Sequence, residues 1–218
     1  MNDKRKMHLG VNRIVIDEDI NIEMAKYVDE AIGHFSANGN PDIEVVITSN
    51  GGDVDLGLYV FDMIDTYRGK THGRVASFAR SMAAVILQAC TTREAGRHSK
   101  ILIHHITRRQ VSLDVLKDST KLSGLVAGME KTQDKLYRIL ESRTSRNRDE
   151  IIKACLPDTD MSAEEALVFG LISSITSSSL KDDQKGDLNR IVEADEGFKR
   201  YDVTNRRPFL LWYIYLYN

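Results

Sequence analysis

A serine, a histidine and an acid held at the ends of neighbouring strands can together cleave an acyl bond. This chain offers one of each in such a setting. Ser81 stands in Ala79-Arg80-Ser81-Met82-Ala83-Ala84, where a strand-like run, Gly73–Phe78, gives way to small helix-forming residues. A hydroxyl on that turn projects outward, and the N–H groups after it lie at a helix N-terminus, where developing negative charge is favoured. The competing reading is that Ser81 simply caps its own helix, a position at which serine is preferred. His104 follows the apolar run Ile101-Leu102-Ile103 and stands 23 residues after Ser81. An imidazole there can accept the serine proton as general base. A hydrogen-bonded histidine near a sheet edge is the alternative. Strand alternation turns His105 to the opposite face, so only one of the two can serve.

Two further segments complete the chemistry. Asn50-Gly51-Gly52 directly follows the β-branched run Ile43–Thr48. Paired glycines let the backbone turn at positive φ and let a ligand approach the N–H groups, although a plain strand-to-helix turn needs no ligand. Asp158 and Asp160 precede Met161-Ser162-Ala163-Glu164-Glu165-Ala166. Either carboxylate can hold an imidazole in the required tautomer, or merely favour the dipole of the following helix. The two cysteines, Cys90 and Cys155, fit no metal spacing and read as reduced, buried thiols.

These residues need a scaffold that brings strand ends together. Val11–Asp17 reads as a strand, Ile22–Phe35 as an amphipathic helix, Ile43–Thr48 as a strand and Leu56–Tyr67 as a helix. Gly73–Phe78 is a further strand, Ser81–Cys90 a small-residue helix and Ile101–His104 the next strand. Strand–helix alternation predicts an α/β fold with a mostly parallel sheet, and ligands gather at the carboxyl ends of such strands. Val111–Arg143 carries apolar residues at helical spacing, and a helix of that length, roughly 45 Å, projects beyond a compact domain. Its exposed stripe is expected to pack on another subunit. Ser162 and Glu165 form a capping box, and Leu171–Ile175 reads as a closing strand. Residues 176–218 turn to Ser, Lys and Asp and are expected to be a mobile tail.

Composition excludes several classes. Of 218 residues, 42% are hydrophobic and 28% charged, which rules out wholesale disorder, and two cysteines rule out a disulfide scaffold. A net charge of −2 argues against a dedicated nucleic-acid binder. The most apolar stretch, Phe209–Tyr217, is nine residues, against about 20 for a membrane span. No apolar region follows the basic residues of Met1–Met7, so no signal peptide is expected. A cytoplasmic protein without membrane or nucleic-acid partners is expected.

Taken in order, these segments resemble the proteolytic-subunit (ClpP) family of the Clp protease, its phage and prophage members included. The family's Ser-Pro-Gly-Gly turn is similar to Ser49-Asn50-Gly51-Gly52, and its Ala-Ser-Met-Gly-Ala segment to Arg80-Ser81-Met82-Ala83-Ala84. Its Met-Ile-His resembles Leu102-Ile103-His104, and its Met-Ser-Ala-Glu-Glu-Ala segment, continued by Gly-Leu-Ile, resembles Met161 through Ile172. The resemblance spans Arg13 to Ile175.

The resemblance implies a crotonase-like ββα spiral: a short segment over residues 1–10, a peptidase domain over 11–175, and a helical handle at about 111–143. It implies a serine endopeptidase with Ser81 as nucleophile, His104 as base and Asp158, four residues before Ser162, as orienting acid. Asp160 is the fallback. The N–H groups of Gly52 and Met82 form the implied oxyanion hole, with no metal and no cofactor. It further implies heptameric rings stacked as a tetradecamer, a peptide or unfolded-protein substrate, and a hexameric AAA+ unfoldase as possible partner. A non-catalytic ring subunit and a crotonase-type acyl-CoA enzyme are the alternatives. The chain departs from the pattern in several places, among them a handle several residues longer than usual and a tail, Phe209–Tyr217, with no family counterpart. Arg80 replaces alanine beside the nucleophile, Asn50 replaces proline, and His105–Gln110 lacks the family's glycines. Residues 1–10 are also fewer than the family uses for its axial loops. A guanidinium beside the nucleophile must either alter substrate preference or find a partner acid.

Overall fold

Alternate residues of the run Ile43–Ser49 are buried, as a strand covered on its inner face requires, and this strand is an inner one of a sheet with seven strands among the described residues. The computed structural model describes residues 8–108 and 110–176. In chain order the elements are β1 (Arg13–Ile16), α1 (Ile22–Ala37), β2 (Ile43–Ser49), α2 (Val54–Asp65), β3 (Thr71–Arg80), α3 (Met82–Leu87) and β4 (Thr92–Gly96). There follow β5 (Lys100–Leu102), α4 (Leu113–Lys117), α5 (Ser119–Thr144), α6 (Arg148–Cys155), β6 (Met161–Ser162), α7 (Ala163–Phe169) and β7 (Ser174–Thr176).

The main path of the sheet is β1-β2-β3-β4-β7, all parallel. Strand β3 is long enough to serve two partners on one side. His72–Val75 pair with β4, and Phe78–Arg80 pair with β5. Between them Ser99 turns the chain, its hydroxyl donating to the Val75 carbonyl (3.0 Å) and its N–H to the Gly96 carbonyl (2.8 Å). Strand β5 thereby leaves the main path and takes β6 as an antiparallel neighbour. This fork creates the site. The α/β class and the mostly parallel sheet are as expected from the sequence.

The core is a single cluster of Ile, Val, Ala and Leu side chains from the sheet and from one face of each covering helix. Helix α3 is buried at all six positions, which explains its run of small and aliphatic residues without a polar face. Across the strands Glu44 accepts hydrogen bonds from Arg13 (2.5 Å) and Arg74 (2.6 Å), tying β1, β2 and β3 together.

The expected helix over Val111–Arg143 is two helices. Asp118 breaks it, because its carboxylate accepts from the N–H groups of Thr120 (2.9 Å) and Lys121 (3.1 Å) and so starts α5 afresh. Only Leu136, Leu140 and Thr144 of α5 are buried, whereas Leu113, Leu116 and Val126 are exposed. Three elements were not read from the sequence: β4, α6 and the two-residue β6. The tail beyond Thr176, with Phe209–Tyr217, and Met1–Met7 of the N-terminal segment lie outside the described residues.

Candidate active site

Two strand registers bring the site together. The parallel β3–β5 pairing sets Ala79 beside Ile101 and Arg80 beside Leu102, and it continues as the Ser81 N–H donates to the Leu102 carbonyl (2.9 Å). The nucleophile candidate is thus fixed one step from Ile103 and His104. The antiparallel β5–β6 pairing sets Lys100 opposite Ser162 and Ile101 opposite Met161. The chain just before β6 then carries Asp160 to the Arg80 side chain and Asp158 to that of His104. Ser81, His104 and Asp158 are therefore gathered by one short strand, β5, read from its two sides.

Ser81 sits at φ 53°, ψ −126°, a backbone conformation that a side-chain-bearing residue adopts only under constraint, at a cost of about 1–3 kcal/mol. It occupies the N-cap position of α3, yet its hydroxyl makes no capping bond. The capping role that competed with a catalytic one is not what this side chain does.

The turn Gly51-Gly52 is equally constrained. Ser49 Oγ donates to the Glu18 carbonyl (2.6 Å) and accepts from the Gly51 N–H (3.1 Å). Ile20 then clamps the turn: its N–H donates to the Gly51 carbonyl (2.7 Å) and its carbonyl accepts from the Asp53 N–H (2.8 Å). Both glycines have positive φ, 92° and 151°. A Cβ on Gly51 would lie 2.7 Å from the Arg80 carbonyl, and one on Gly52 2.5 Å from that of Ile20. Among the described residues the N–H groups of Gly52 and Met82 have no hydrogen-bond partner. Both belong to residues that line the cleft containing Ser81 and His104.

His104 lies in that cleft with its Nδ1 3.8 Å from Asp158 Oδ1. That separation is an ion-pair distance, longer than a hydrogen bond. Asp158 itself has φ 49° and a largely exposed side chain. No hydrogen bond joins Ser81 and His104 among the described residues. His105 is turned away, its ring edge-on to Tyr137 of α5 at 6.2 Å. Burial, reinforced by the charge of His104, pushes its pKa down. Both histidines lie just past the end of β5, so the loop rather than strict alternation separates them.

Asp160 is engaged elsewhere. Its carboxylate takes a two-pronged ion pair from Arg80, Nε at 2.7 Å and Nη2 at 2.8 Å, with Lys100 Nζ at 3.9 Å. The remaining Arg80 nitrogen, Nη1, donates to Asn50 Oδ1 (2.9 Å). The Arg80 hydrogen bonds outweigh burial and hold the Asp160 carboxyl below its ordinary value. The guanidinium beside the nucleophile therefore has its partner acid, and Asp160 does not face the imidazole.

The cleft beside Ser81 is lined by Val54, Val85, Ile103, Leu136 and Leu140, an apolar wall shared by the sheet edge and the handle. Gln133 of α5 accepts the Ile106 N–H (2.7 Å), fixing the segment after His104 against the handle. Sequence reading missed Gln133 because one polar residue on a long helix carries no signal. It also missed Gly57, where a Cβ would lie 2.5 Å from Met82 Cγ, so that α2 can approach the Met82 segment closely. Among the described residues no group of three or more His, Cys, Asp or Glu side chains could hold a metal ion, and no helix is long and apolar enough to cross a membrane.

Residues 1–179 match the Clp protease family. The chain belongs to the Clp protease family. It is 32% identical over 176 residues to "ATP-dependent Clp protease proteolytic subunit 1" of Protochlamydia amoebophila, covering 78% of this chain and 82% of that one. It is 29% identical over 171 residues to the subunit of the same name from Chlamydia abortus, covering 77% and 87%. It is likewise 29% identical over 169 residues to proteolytic subunit 2 of Chlamydia trachomatis, covering 76% and 81%. Family and fold together make the chain a ClpP-type, serine-type peptidase.

Proposed function

We propose that this chain is the proteolytic subunit of a self-compartmentalised Clp-type protease, hydrolysing internal peptide bonds of unfolded protein in the cytoplasm. The observation that carries the reading is the Ser81 hydroxyl, which makes no capping bond and is held at φ 53° in one cleft with His104, Gly52 and Met82.

Ser81 Oγ attacks the scissile carbonyl carbon while its proton passes to His104 Nε2, the nitrogen left free when Nδ1 faces Asp158. The carbonyl electrons move onto oxygen, where the Gly52 and Met82 N–H groups receive them. Collapse of that intermediate breaks the C–N bond, and His104 returns the proton to the departing amine. A water then repeats the cycle on the acyl-Ser81 ester. The apolar wall of Val54, Val85, Leu136 and Leu140 suits a hydrophobic side chain beside the cleaved bond.

The exposed Leu113, Leu116 and Val126 suit burial against further copies of the handle, in heptameric rings stacked as a tetradecamer. A hexameric ATP-driven unfoldase is the partner that the relatives' names, "ATP-dependent", support. The 3.8 Å gap between His104 and Asp158 favours one other reading, a ring subunit that keeps the fold without turnover. Intact-mass spectrometry after fluorophosphonate treatment separates the two. A single adduct, lost in Ser81→Ala, supports the peptidase. No adduct on protein that sediments as an assembled ring overturns it in favour of the silent subunit.

A further inference from the structure

Three segments must hold still around Ser81: the oxyanion turn, the strand end that bears the serine, and the loop that bears Asp158. One side chain touches all three. Arg80 belongs to the second, donates through Nη1 to Asn50 of the first, and grips Asp160 of the third with Nε and Nη2. Its guanidinium lies over the Phe78 ring, carbon to centroid 4.6 Å, so the fork is supported from its own strand as well. The Arg80 and Asp160 side chains are about a third or less exposed, at 31% and 22%, whereas the side chain of Asp158 is 73% exposed. Among the described residues no hydrogen bond fixes the Asp158 side chain, whose ion-pair contact is the 3.8 Å approach to His104. The nearest anchor of its loop is Asp160, two residues on.

We infer that the Arg80–Asp160 pair is a positioning device for the triad, holding the Asp158 loop at the register that faces His104. The pair reaches across the end of β5, since Arg80 neighbours Leu102 on one side and Asp160 directly precedes β6, which pairs with β5 on the other. A two-pronged guanidinium–carboxylate bond fixes both distance and orientation, which a lysine's single ammonium cannot do. Arg80 is thus a positioning residue and not a selector of acidic substrates, because its charge is already matched. The inference rests on the triad reading above and deepens it.

The test compares Asp160→Asn, Arg80→Met and Arg80→Lys with the wild-type assembly, reading kcat and KM on a short peptide and the rate of Ser81 labelling by a fluorophosphonate. Asp160→Asn and Arg80→Met are each expected to lower kcat and labelling rate by about 10- to 100-fold while KM moves less than about twofold, and lysine to restore only part. A merely structural role would not give the next result: in an Asp158→Asn background, adding Asp160→Asn should cost less than about twofold, because the group being positioned has already gone. Should Arg80→Met not fold, the nearly isosteric Asp160→Asn decides. Wild-type rates in Asp160→Asn, or losses that multiply with those of Asp158→Asn, overturn the inference while leaving the labelled Ser81 intact. A wild-type ring that takes no label overturns the triad reading and this inference with it.

Discussion

Asp158, in the turn just before β6, faces His104, just past the end of β5, with Nδ1 to Oδ1 at 3.8 Å. The geometry brings acid and imidazole face to face without closing the hydrogen bond. Catalytic hydrogen bonds in unliganded enzymes are commonly longer than those formed with substrate.

Ser81→Ala and His104→Ala should each lower peptide hydrolysis by at least about 10³-fold, and the double variant should be no worse than either, because the two act as a unit. His105→Ala should retain most activity, since that ring packs on Tyr137. Loss of activity in His105→Ala but not His104→Ala would assign the base to the wrong histidine here.

If the proposed oxyanion hole operates, Gly52→Ala should lower kcat by up to about 10²–10³, because shifting the turn takes the Gly52 N–H, which alanine retains, out of line with the oxyanion. The added methyl meets the Ile20 carbonyl at 2.5 Å and cannot be accommodated at φ 151° without moving the turn. Steady-state kinetics beside a thermal melt will show whether kcat falls further than stability alone explains.

Glu44 gives a pH-dependent contribution of known sign. Burial raises its pKa, but the hydrogen bonds and charges of Arg74 and Arg13 outweigh that and leave it below the ordinary value of 4.5. The folded pKa is the lower one, so the stabilisation is fully present above the unfolded value and fades as pH falls through the folded value. Glu44→Gln should cost about 1 kcal/mol or less at pH 7, since the pair is partly solvent-screened. The difference in melting temperature should shrink below about pH 4, and a constant gap would show that the charge plays no part.

Both cysteines should be inert in the folded protein. Burial pushes the Cys90 and Cys155 thiols up to about 12, so neither supplies thiolate near neutrality. Iodoacetamide at pH 8 should leave activity and mass unchanged, with two additions appearing only after denaturation. Inactivation of the native enzyme would contradict the buried positions of these side chains.

The pieces that the structure gathers into the candidate site were legible where each is short in sequence. Gly51-Gly52 after a β-branched run, Ser81 before small helix formers and His104 after an apolar run announce themselves within a few residues, and local backbone preferences suffice. Strand β4 did not, because Thr92–Gly96 has no apolar alternation and is held mainly by ladder bonds to β3 and β7. Helix α6 was missed although Asn147 and Glu150 form a capping box, and the break at Asp118 was missed although an acid before Ser119-Thr120 is a start signal.

What the sequence by itself determined was the α/β class, the family resemblance and the identity of the serine, histidine and paired-glycine segments. All of these depend on residue type and near-neighbour spacing. The different surroundings of two acids two residues apart are visible only in the tertiary structure. Asp160 meets Arg80, 80 positions earlier in the chain, and Asp158 meets His104, because β5 leaves the main sheet path to pair with β6. A one-residue slip of that pairing would exchange the faces of every side chain on it, and register is fixed by long-range burial and hydrogen bonding that no local pattern records.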